Sequence, residues 1–433
     1  MNFRTKQYLR KRFADYYQNS NLALPHDFVR REWGFIFFDE LPEVVMRRHK
    51  AFSRENEAFD YIRAMVPAHA YHSAAYYEFP GAATMKEKKW QGADLIFDLD
   101  ADHLPGKVRS YAEMLSNVKS ETGKLLDFLI QDFGFLESNI NIVFSGGRGY
   151  HIHVRDPKVR KLESAERREI VDYVSGTGLN INFLFKPAKR MVHDEGRFRK
   201  IELDSPRRIA SFEDRPGGFG WGKRISQFLI HFLIDISKKD DLEVEIQIVN
   251  LIRNYNLKKA NIKNISEDMD QRLGDFNKGT GAKLNKVRKF AEDPKYIEMI
   301  EKGFIDFPNI TDLFDAIVDQ AIQEESIHLG GGHTDEPVTA DIRRLIRLPS
   351  SLHGGSGMRV VPLSLSEFGN FEPLNDAVVF SEKMIDIEII SPLKPQNSKV
   401  EMKGKSFTVT EGKNTLPEYA AIYLMCRGAA EYA

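Results

Sequence analysis

One short segment constrains the fold of this chain more than any other. Residues 93–100 read Ala-Asp-Leu-Ile-Phe-Asp-Leu-Asp, in which acidic side chains alternate with apolar ones. Because side chains of a β-strand point alternately to its two faces, the pattern predicts a strand that packs on a core, with Asp98 and Asp100 together on the opposite face. Asp94 lies on that face one step earlier, so the motif by itself does not decide which pair of carboxylates matters.

Two carboxylates about 7 Å apart on a rigid strand repel each other unless a cation neutralises them. Magnesium and manganese ions prefer oxygen ligands of this kind, and paired carboxylates that bind two metal ions are typical of phosphoryl-transfer sites. The motif therefore indicates a two-metal site, with a solvated strand end as the alternative interpretation.

Composition narrows the class of protein. The 433 residues can form one large or two interlocked domains. The 62 basic and 63 acidic residues nearly cancel, so the net charge does not indicate a nucleic-acid partner. The single cysteine, Cys426, excludes an intramolecular disulfide and a cysteine-rich zinc or iron–sulfur site within this chain. The sequence has neither an apolar run of about 20 residues, as a membrane span requires, nor a signal-peptide core, so we expect a cytoplasmic protein with no membrane partner.

Hydrophobic periodicity predicts the elements around the acidic strand. A first helix is followed by two strands, Gly34–Phe38 and Val44–Arg48, and by a helix over Arg54–Val66. Two further strands, Asn139–Phe144 and one that starts at His151, flank a glycine-rich turn. The basic segment 186–208 is predicted to be irregular.

The fold class that follows is α/β, more narrowly α+β: a catalytic core of mixed sheets with an active-site cleft, interrupted by a helical subdomain. We expect the first part of the core at residues 1–220, a helical insertion at 221–325, the second part of the core at 326–396 and a peripheral C-terminal segment at 397–433. The insertion is predicted because apolar residues recur there at helical spacing, and strand-like segments return after it.

A second motif, Ser-Gly-Gly-Arg-Gly-Tyr-His at 145–151, connects two predicted strands. Its glycines permit positive φ and close backbone approach, so that amide hydrogens can converge on an anion. Ser145 adds a hydroxyl donor, and Arg148 adds a planar fork suited to phosphate oxygens. His151 shares one strand face with His153, for which a structural role is the alternative. The motif lacks the Gly-Lys-Ser/Thr of a P-loop, so it predicts a phosphate-binding loop of another kind.

A third block lies far from the first two in the sequence. Asp335 is placed on a predicted strand edge, where Pro337 is tolerated, and a short helix over 342–347 is predicted after it. Arg347 at the end of that helix and His353 in the glycine-rich segment beyond it indicate an anionic ligand. Of the two other arginines in the helix, one is expected to face solvent.

Together the three blocks resemble those of the catalytic small subunit of archaeal and eukaryotic DNA primase, in the archaeo-eukaryotic primase superfamily. The blocks are Asp-Leu-Asp, Ser-Gly-Gly-Arg-Gly-Tyr-His and Leu-Ile-Arg-Leu-Pro-Ser-Ser-Leu-His-Gly, in the order that the family has. The likeness spans the chain from about Arg31 to Leu365 and is closer to the archaeal form.

The resemblance implies a nucleotidyltransferase, a DNA-directed RNA polymerase that starts short RNA or DNA primers for replication without an existing primer. Asp98, Asp100 and Asp335 match the family's catalytic, metal-binding carboxylates, which would hold two Mg²⁺ or Mn²⁺ ions. The residues that match the family's nucleotide-binding positions are Arg48, Ser145, Arg148, His151, Arg347 and His353.

The resemblance also implies partners. These are single-stranded DNA as template, nucleoside triphosphates as substrates, and a larger subunit that carries an iron–sulfur cluster and forms a heterodimer with this chain near the nucleoid. The basic residues of 186–208 and of Arg10–Arg12 are candidates for template binding, with ordinary solvated charge as the alternative. No zinc is expected, because residues 101–133 lack the cysteines of the zinc knuckle that many relatives carry.

Besides the missing zinc knuckle, the chain departs from the family pattern at Gly147, where some relatives have another arginine.

Three other functions stay open from the residues alone: a related primase-polymerase that acts in repair or primer extension, a metal-dependent nuclease, and a nucleic-acid-binding module without catalysis. A nuclease has no need of a triphosphate pocket, and a binding module leaves the carboxylates unexplained.

Overall fold

The computed structural model describes residues 1–104, 108, 110–194, 197–214, 217–259, 280–305, 311–329, 338–390 and 399–433. These residues form two compact units. The first comprises Met1–Leu126, Gly134–Asp172 and His328–Ala433, and the second comprises Asp127–Phe133 and Tyr173–Ile327. The strand predicted around Asp335 lies almost entirely outside the described residues.

In chain order, the strands are β1 (Trp33–Ile36), β2 (Arg47–Lys50), β3 (His69–Ser73), β4 (Ala75–Tyr77), β5 (Trp90–Ala93), β6 (Leu95–Asp100), β7 (Ile140–Phe144), β8 (Gly149–Val154), β9 (Phe185–Asp194), β10 (Arg197–Ile209), β11 (Phe304–Ile305), β12 (Leu345–Arg347), β13 (Val361–Leu363), β14 (Met384–Ile389), β15 (Lys399–Met402), β16 (Lys405–Thr408), β17 (Gly412–Pro417) and β18 (Ala430–Tyr432). Neighbouring strands in these sheets pair antiparallel. The α+β class is therefore confirmed, but the sheets described here are antiparallel rather than mixed.

The α-helices are Phe3–Asn19, Glu55–Met65, Tyr111–Asp127, Ser164–Val174, Ile181–Leu184, Ser211–Asp214, Gly220–Lys238, Asp241–Lys259, Thr280–Glu292, Pro294–Glu301, Thr311–Glu325, Leu365–Phe368, Pro373–Asp376 and Glu418–Cys426. The helix predicted over Arg54–Val66 is thus confirmed with slightly shorter bounds. Over the stretches of chain that the structure describes, none of these helices is both long and apolar enough to span a bilayer.

The acidic strand β6 forms one edge of a four-stranded sheet in the order β13-β7-β8-β6. It runs antiparallel to β8, so that Asp98 lies opposite His151 and Asp100 lies opposite Gly149. The apolar residues between the carboxylates are buried on the other face of the strand. The alternation that the sequence predicted for this strand is therefore confirmed.

A second four-stranded sheet has the order β12-β3-β1-β2. Its edge strand β12 places Arg347 opposite Tyr71 of β3, and the N–H of Leu348 continues the ladder to the carbonyl oxygen of Ala70 at 2.9 Å. The helix predicted over 342–347 is therefore wrong. A run this short of apolar and basic residues fits the helical and the strand period equally well. Here it forms a strand because it pairs with the edge of β3.

The second unit combines a β-ribbon with helices. Strands β9 and β10 pair over most of their length, and β11 adds a third strand at the edge. The expectation of an irregular segment at 186–208 is therefore wrong, since charged residues can occupy a ribbon whose backbone is satisfied by pairing. The helices between Gly220 and Glu325 enclose an apolar core of their own.

The last helix, Glu418–Cys426, is buried along nearly its whole length. Its Glu418 binds the first helix through Arg12, with Nε 2.7 Å from Oε1, and through the hydroxyl of Tyr8 at 2.9 Å. The first and the last helix therefore stabilise each other in the first unit.

Candidate active site

An open cleft of about 810 Å³ lies in the first unit. Its walls come from strands of both four-stranded sheets and from the loops that follow them. The predicted site residues that line it are Arg48, Asp98, Asp100, Ser145, Arg148, His151, Arg347 and His353. Asp335, the third predicted carboxylate, lies outside the described residues.

The two carboxylates of β6 remain partly exposed in this cleft, at 27% for Asp98 and 32% for Asp100. Oδ1 of Asp98 lies 3.4 Å from Nε2 of His151, and Oδ1 of Asp100 lies 3.5 Å from Nε of Arg148. Because an ionised carboxylate offers about four acceptor positions, these contacts leave oxygen lone pairs of both residues free. Burial lowers the pKa of His151 despite the opposing effect of Asp98, so the imidazole is neutral.

Asp94 does not join this pair. It is buried, and its carboxylate accepts hydrogen bonds from Arg31 at 2.7 Å and from the hydroxyl of Tyr76 at 2.6 Å. A buried carboxylate satisfied in this way is part of the structural core. The choice that the sequence left open therefore falls on Asp98 and Asp100 as the pair that faces the cleft.

The loop between β7 and β8 is organised around Ser145. Its Oγ accepts hydrogen bonds from the backbone N–H groups of Gly147 and Gly149, both at 3.3 Å. These two amides therefore bind the serine rather than pointing at an anion, as the sequence suggested they could. The hydroxyl hydrogen of Ser145 is left to donate to a ligand in the cleft.

Glycine is required at two positions of this loop by close approach. Gly146 has φ of +75°, and a Cβ there would lie 2.8 Å from Cβ of His353. At Gly149 a Cβ would lie 1.9 Å from the carbonyl oxygen of Leu99. A Cβ at Gly147 would lie 3.0 Å from Nε2 of His353, so a side chain there would press on the imidazole.

Two residues that sequence reasoning missed hold this loop in place. The hydroxyl of Tyr111 donates to the carbonyl oxygen of Gly147 at 2.6 Å, and the hydroxyl of Ser356 donates to that of Gly146. Both come from segments far from the loop in the sequence. No local signal marks either residue, because an isolated tyrosine or serine is common on any helix or turn.

His353 presents one ring nitrogen to the loop. Its Nδ1 accepts a hydrogen bond from the N–H of Gly355 at 3.1 Å, so the hydrogen is on Nε2. Burial, together with Arg347 and His69, lowers the pKa of this imidazole well below its usual value. His353 is therefore a neutral residue with an N–H donor beside Gly147.

Two predicted arginines have different surroundings in the cleft. Arg48 is bound by the buried Glu32 through Nε at 3.0 Å and through a terminal nitrogen at 3.2 Å. The guanidinium of Arg347 is held by His69, at 2.6 Å from Nδ1, and burial lowers its pKa. Sequence reasoning identified neither partner, since both lie on distant segments.

The remaining predictions have mixed outcomes. His153 is 2% exposed and packs beside His72 in the interior, and burial lowers its pKa well below its usual value. Arg343 and Arg344 are both exposed and both line the cleft. In the N-terminal basic cluster, Arg12 is bound by Asp15 and Glu418.

The C-terminal helix contributes residues that the sequence did not mark. Cys426 and Arg427 line the cleft at the end of this helix. Burial raises the pKa of the Cys426 thiol, so it stays protonated. The guanidinium of Arg427 lies over the rings of Tyr111 and Tyr423, with its central carbon 5.7 Å and 5.3 Å from their centroids.

Within the described ranges, no group of three or more histidine, cysteine or acidic side chains is arranged to hold a metal ion. Asp98 and Asp100 provide two such side chains, and Asp335 falls in the gap at 330–337. The oxygen donors that are present are of the kind that Mg²⁺ and Mn²⁺ prefer.

An α+β core whose cleft sets paired carboxylates against arginines, histidines and a glycine-rich loop is typical of an enzyme that acts on phosphate compounds. The chain belongs to the DNA primase small subunit family, whose sequence model matches residues 97–365. It is similar over its whole length to proteins named DNA primase small subunit PriS. Identity is 45% with the protein of Methanococcoides burtonii, with 100% of both chains covered, and 45% with that of Methanocella arvoryzae, again with 100% of both covered.

The similarity extends to more divergent methanogens. The protein of the same name from Methanosphaerula palustris is 37% identical, over 99% of this chain and 98% of its own length. The family and the primase function predicted from the three blocks are thereby confirmed, and the repair-type alternative is not favoured.

Proposed function

We propose that this chain synthesises short RNA or DNA primers de novo on single-stranded DNA, by transferring nucleotidyl groups from nucleoside triphosphates and releasing pyrophosphate. The observation that supports the proposal is that one cleft collects Asp98, Asp100, Arg148, Arg347 and the loop at Ser145. Carboxylates attract metal ions, and arginines attract phosphates, so the combination suits a metal-bound triphosphate.

The acidic pair fits a pair of Mg²⁺ or Mn²⁺ ions, because Asp98 and Asp100 lie on one face of β6 and are partly exposed in the cleft. Asp335 is proposed as the third ligand on the strength of the family motif alone. When bound, the ions would make the attacking 3′-hydroxyl more acidic and neutralise charge on the triphosphate and the departing pyrophosphate.

The chain's own side chains orient the substrate. Ser145 and His353 offer an O–H and an N–H donor near Gly147, while Arg148 and Arg347 offer guanidinium groups to the phosphates. His151, with its Nε2 toward Asp98, completes this set. The 3′-oxygen bonds to the α-phosphorus as the bond from that phosphorus to the bridging oxygen of pyrophosphate breaks, and the hydroxyl proton passes to water in the open cleft.

The partners that we propose follow from the family and from the single cysteine. The first unit would be the catalytic core, and residues 221–325 would be the helical insertion. The iron–sulfur cluster would belong to a larger partner subunit. The basic ribbon of β9 and β10 and the exposed Arg10 and Lys11 would contact phosphates of the template without sequence preference. The activity would take place at the nucleoid, in the cytoplasm.

The test is synthesis by the full chain on single-stranded DNA with labelled nucleotides, with and without an annealed primer. We expect short products without the primer in Mg²⁺ or Mn²⁺, and none when EDTA removes the metal. Products that appear only with the primer would instead favour a primase-polymerase of the repair type. Degradation of the template without synthesis would identify a nuclease, and metal-independent DNA binding without products would identify a binding module.

A further inference from the structure

The guanidinium of Arg347 is held by His69, a partner without charge. Its Nη1 lies 2.6 Å from Nδ1 of His69. Arginine has only donors, so Nδ1 is the acceptor, and the N–H of Gly354 donates to the same nitrogen at 3.3 Å. His69 is 8% exposed, and with Nδ1 occupied as an acceptor its hydrogen is on Nε2. The imidazole is therefore neutral and in a defined tautomer.

Two other arginines of this cleft, Arg48 and Arg148, are bound by carboxylates instead. Arg48 donates hydrogen bonds to both carboxylate oxygens of Glu32, at 3.0 and 3.2 Å. Arg148 lies 2.6 Å from Asp102 and 3.5 Å from Asp100. A carboxylate partner offsets part of the charge that a guanidinium brings to a site, whereas a neutral imidazole fixes the guanidinium without offsetting its charge.

We infer that His69 positions Arg347 without itself neutralising the positive charge, so that this charge is available to the triphosphate of the incoming nucleotide. The inference rests on the proposed function, because it assigns the ligand of that same cleft. Charge-assisted bonds to phosphate are the strong ones in a site of this kind, and they weaken when a second anion already occupies the guanidinium.

His69 supports the neighbouring phosphate ligand as well. Its ring packs edge-on against that of His353, with centroids 5.1 Å apart. The N–H of Gly354 that it binds belongs to the turn directly after His353. One neutral imidazole therefore contacts both of the residues that the third sequence block contributes to the phosphate site.

Three substitutions separate positioning from charge. His69→Asn retains a neutral acceptor near the place of Nδ1, His69→Asp places a charged acceptor there, and His69→Leu removes the acceptor. The measurement is the affinity of the full chain for ATP with Mg²⁺ by isothermal titration calorimetry, with thermal unfolding recorded for each variant. We expect His69→Asn to bind within about threefold of wild type, and His69→Leu and His69→Asp to bind roughly 10- to 100-fold more weakly.

The comparison of His69→Asp with His69→Asn decides the role of charge. If His69→Asp binds ATP as tightly as His69→Asn, orientation alone matters and the inference is wrong. A second comparison does not depend on that variant folding: His69→Leu is measured again in an Arg347→Gln background, where its effect should vanish. An undiminished effect there would show that His69 does not act through Arg347.

These results are distinguishable from a failure of the proposed function. If wild type binds no ATP in the presence of Mg²⁺, the assignment of the cleft itself is wrong. If wild type binds ATP and all three His69 variants bind equally well, only the inference about His69 is wrong.

Discussion

Gly149 shows how one missing side chain sets the position of the acidic strand. A Cβ at this residue would lie 1.9 Å from the carbonyl oxygen of Leu99, directly beside Asp100. We predict that Gly149→Ala forces β6 away from β8, lowers stability by about 3 kcal/mol and removes primer synthesis. Thermal unfolding and the synthesis assay measure both effects.

The matched control is Gly123→Ala, because Gly123 lies within the helix Tyr111–Asp127 and a Cβ there would meet nothing within 4 Å. That variant should be more stable than wild type by about 0.5–1 kcal/mol. Equal unfolding temperatures for the two variants would contradict the account of Gly149.

Tyr111 gives a second prediction at the scale of one residue, because its hydroxyl bonds the carbonyl oxygen of Gly147. Tyr111→Phe should raise KM for the nucleotide roughly 5- to 10-fold, with a loss of stability of only about 1 kcal/mol. Steady-state kinetics of primer synthesis measures KM. Tyr61→Phe is the control, since that ring packs against Phe35 and Phe52 away from the cleft. An unchanged KM for Tyr111→Phe would show that the loop does not depend on this bond.

At the scale of elements, Glu418 joins the last helix to the first. It is 3% exposed, and hydrogen bonds from Ser381, Tyr8 and Arg12 outweigh burial and lower its pKa. We predict that Glu418→Gln lowers the free energy of unfolding by about 2 kcal/mol, as measured by chemical denaturation. Glu382→Gln is the control, because the ion pair of Glu382 with Lys405 is exposed, and this variant should change stability by less than about 0.5 kcal/mol. Equal losses in the two variants would exclude a special role for Glu418.

Elements also show what could be predicted from the sequence. The acidic strand and the glycine-rich turn at Ser145 are each encoded within a few residues, by alternation and by glycine, so local reasoning predicted them. The pairing of the acidic strand with β8 joins distant segments and was not predicted. The strand β12 and the ribbon at 185–209 depend on an edge supplied by another segment, and local periodicity was misleading there. For the same reason Glu32, His69 and Ser356 could not be assigned: their roles exist only through contacts with residues far away in the sequence.

At the scale of the whole molecule, buried histidines should make the first unit sensitive to acid. Burial lowers the pKa of His69, His72 and His153 well below the usual value, with further contributions from Arg347, Arg31 and His72 respectively. The unfolded chain binds protons at these residues near pH 6.5, whereas the folded chain does not. Stability is therefore retained above about pH 6.5 and lost as pH falls below it, by about 1.4 kcal/mol per pH unit for each such histidine.

Chemical denaturation at pH 7.5, 6.5 and 5.5 measures this slope. His153→Leu should reduce the slope, whereas His26→Gln, at an exposed position, should leave it unchanged. A stability that does not change between pH 7.5 and 5.5 would contradict the assignment of neutral, buried histidines.

Both four-stranded sheets of the first unit are needed to form the cleft. The central claim is that Asp98 and Asp100 hold the metal ions of a primase active site in this cleft. The most direct measurement is the rate of unprimed synthesis on single-stranded DNA by Asp98→Asn and Asp100→Asn. The control is Asp60→Asn, at an exposed position of the helix Glu55–Met65 in the same unit. We predict that both cleft variants lose activity by roughly 1,000-fold or more. Asp60→Asn should synthesise primers at the wild-type rate, and all three variants should unfold at the wild-type temperature. Unprimed synthesis at the wild-type rate by either cleft variant would contradict the account.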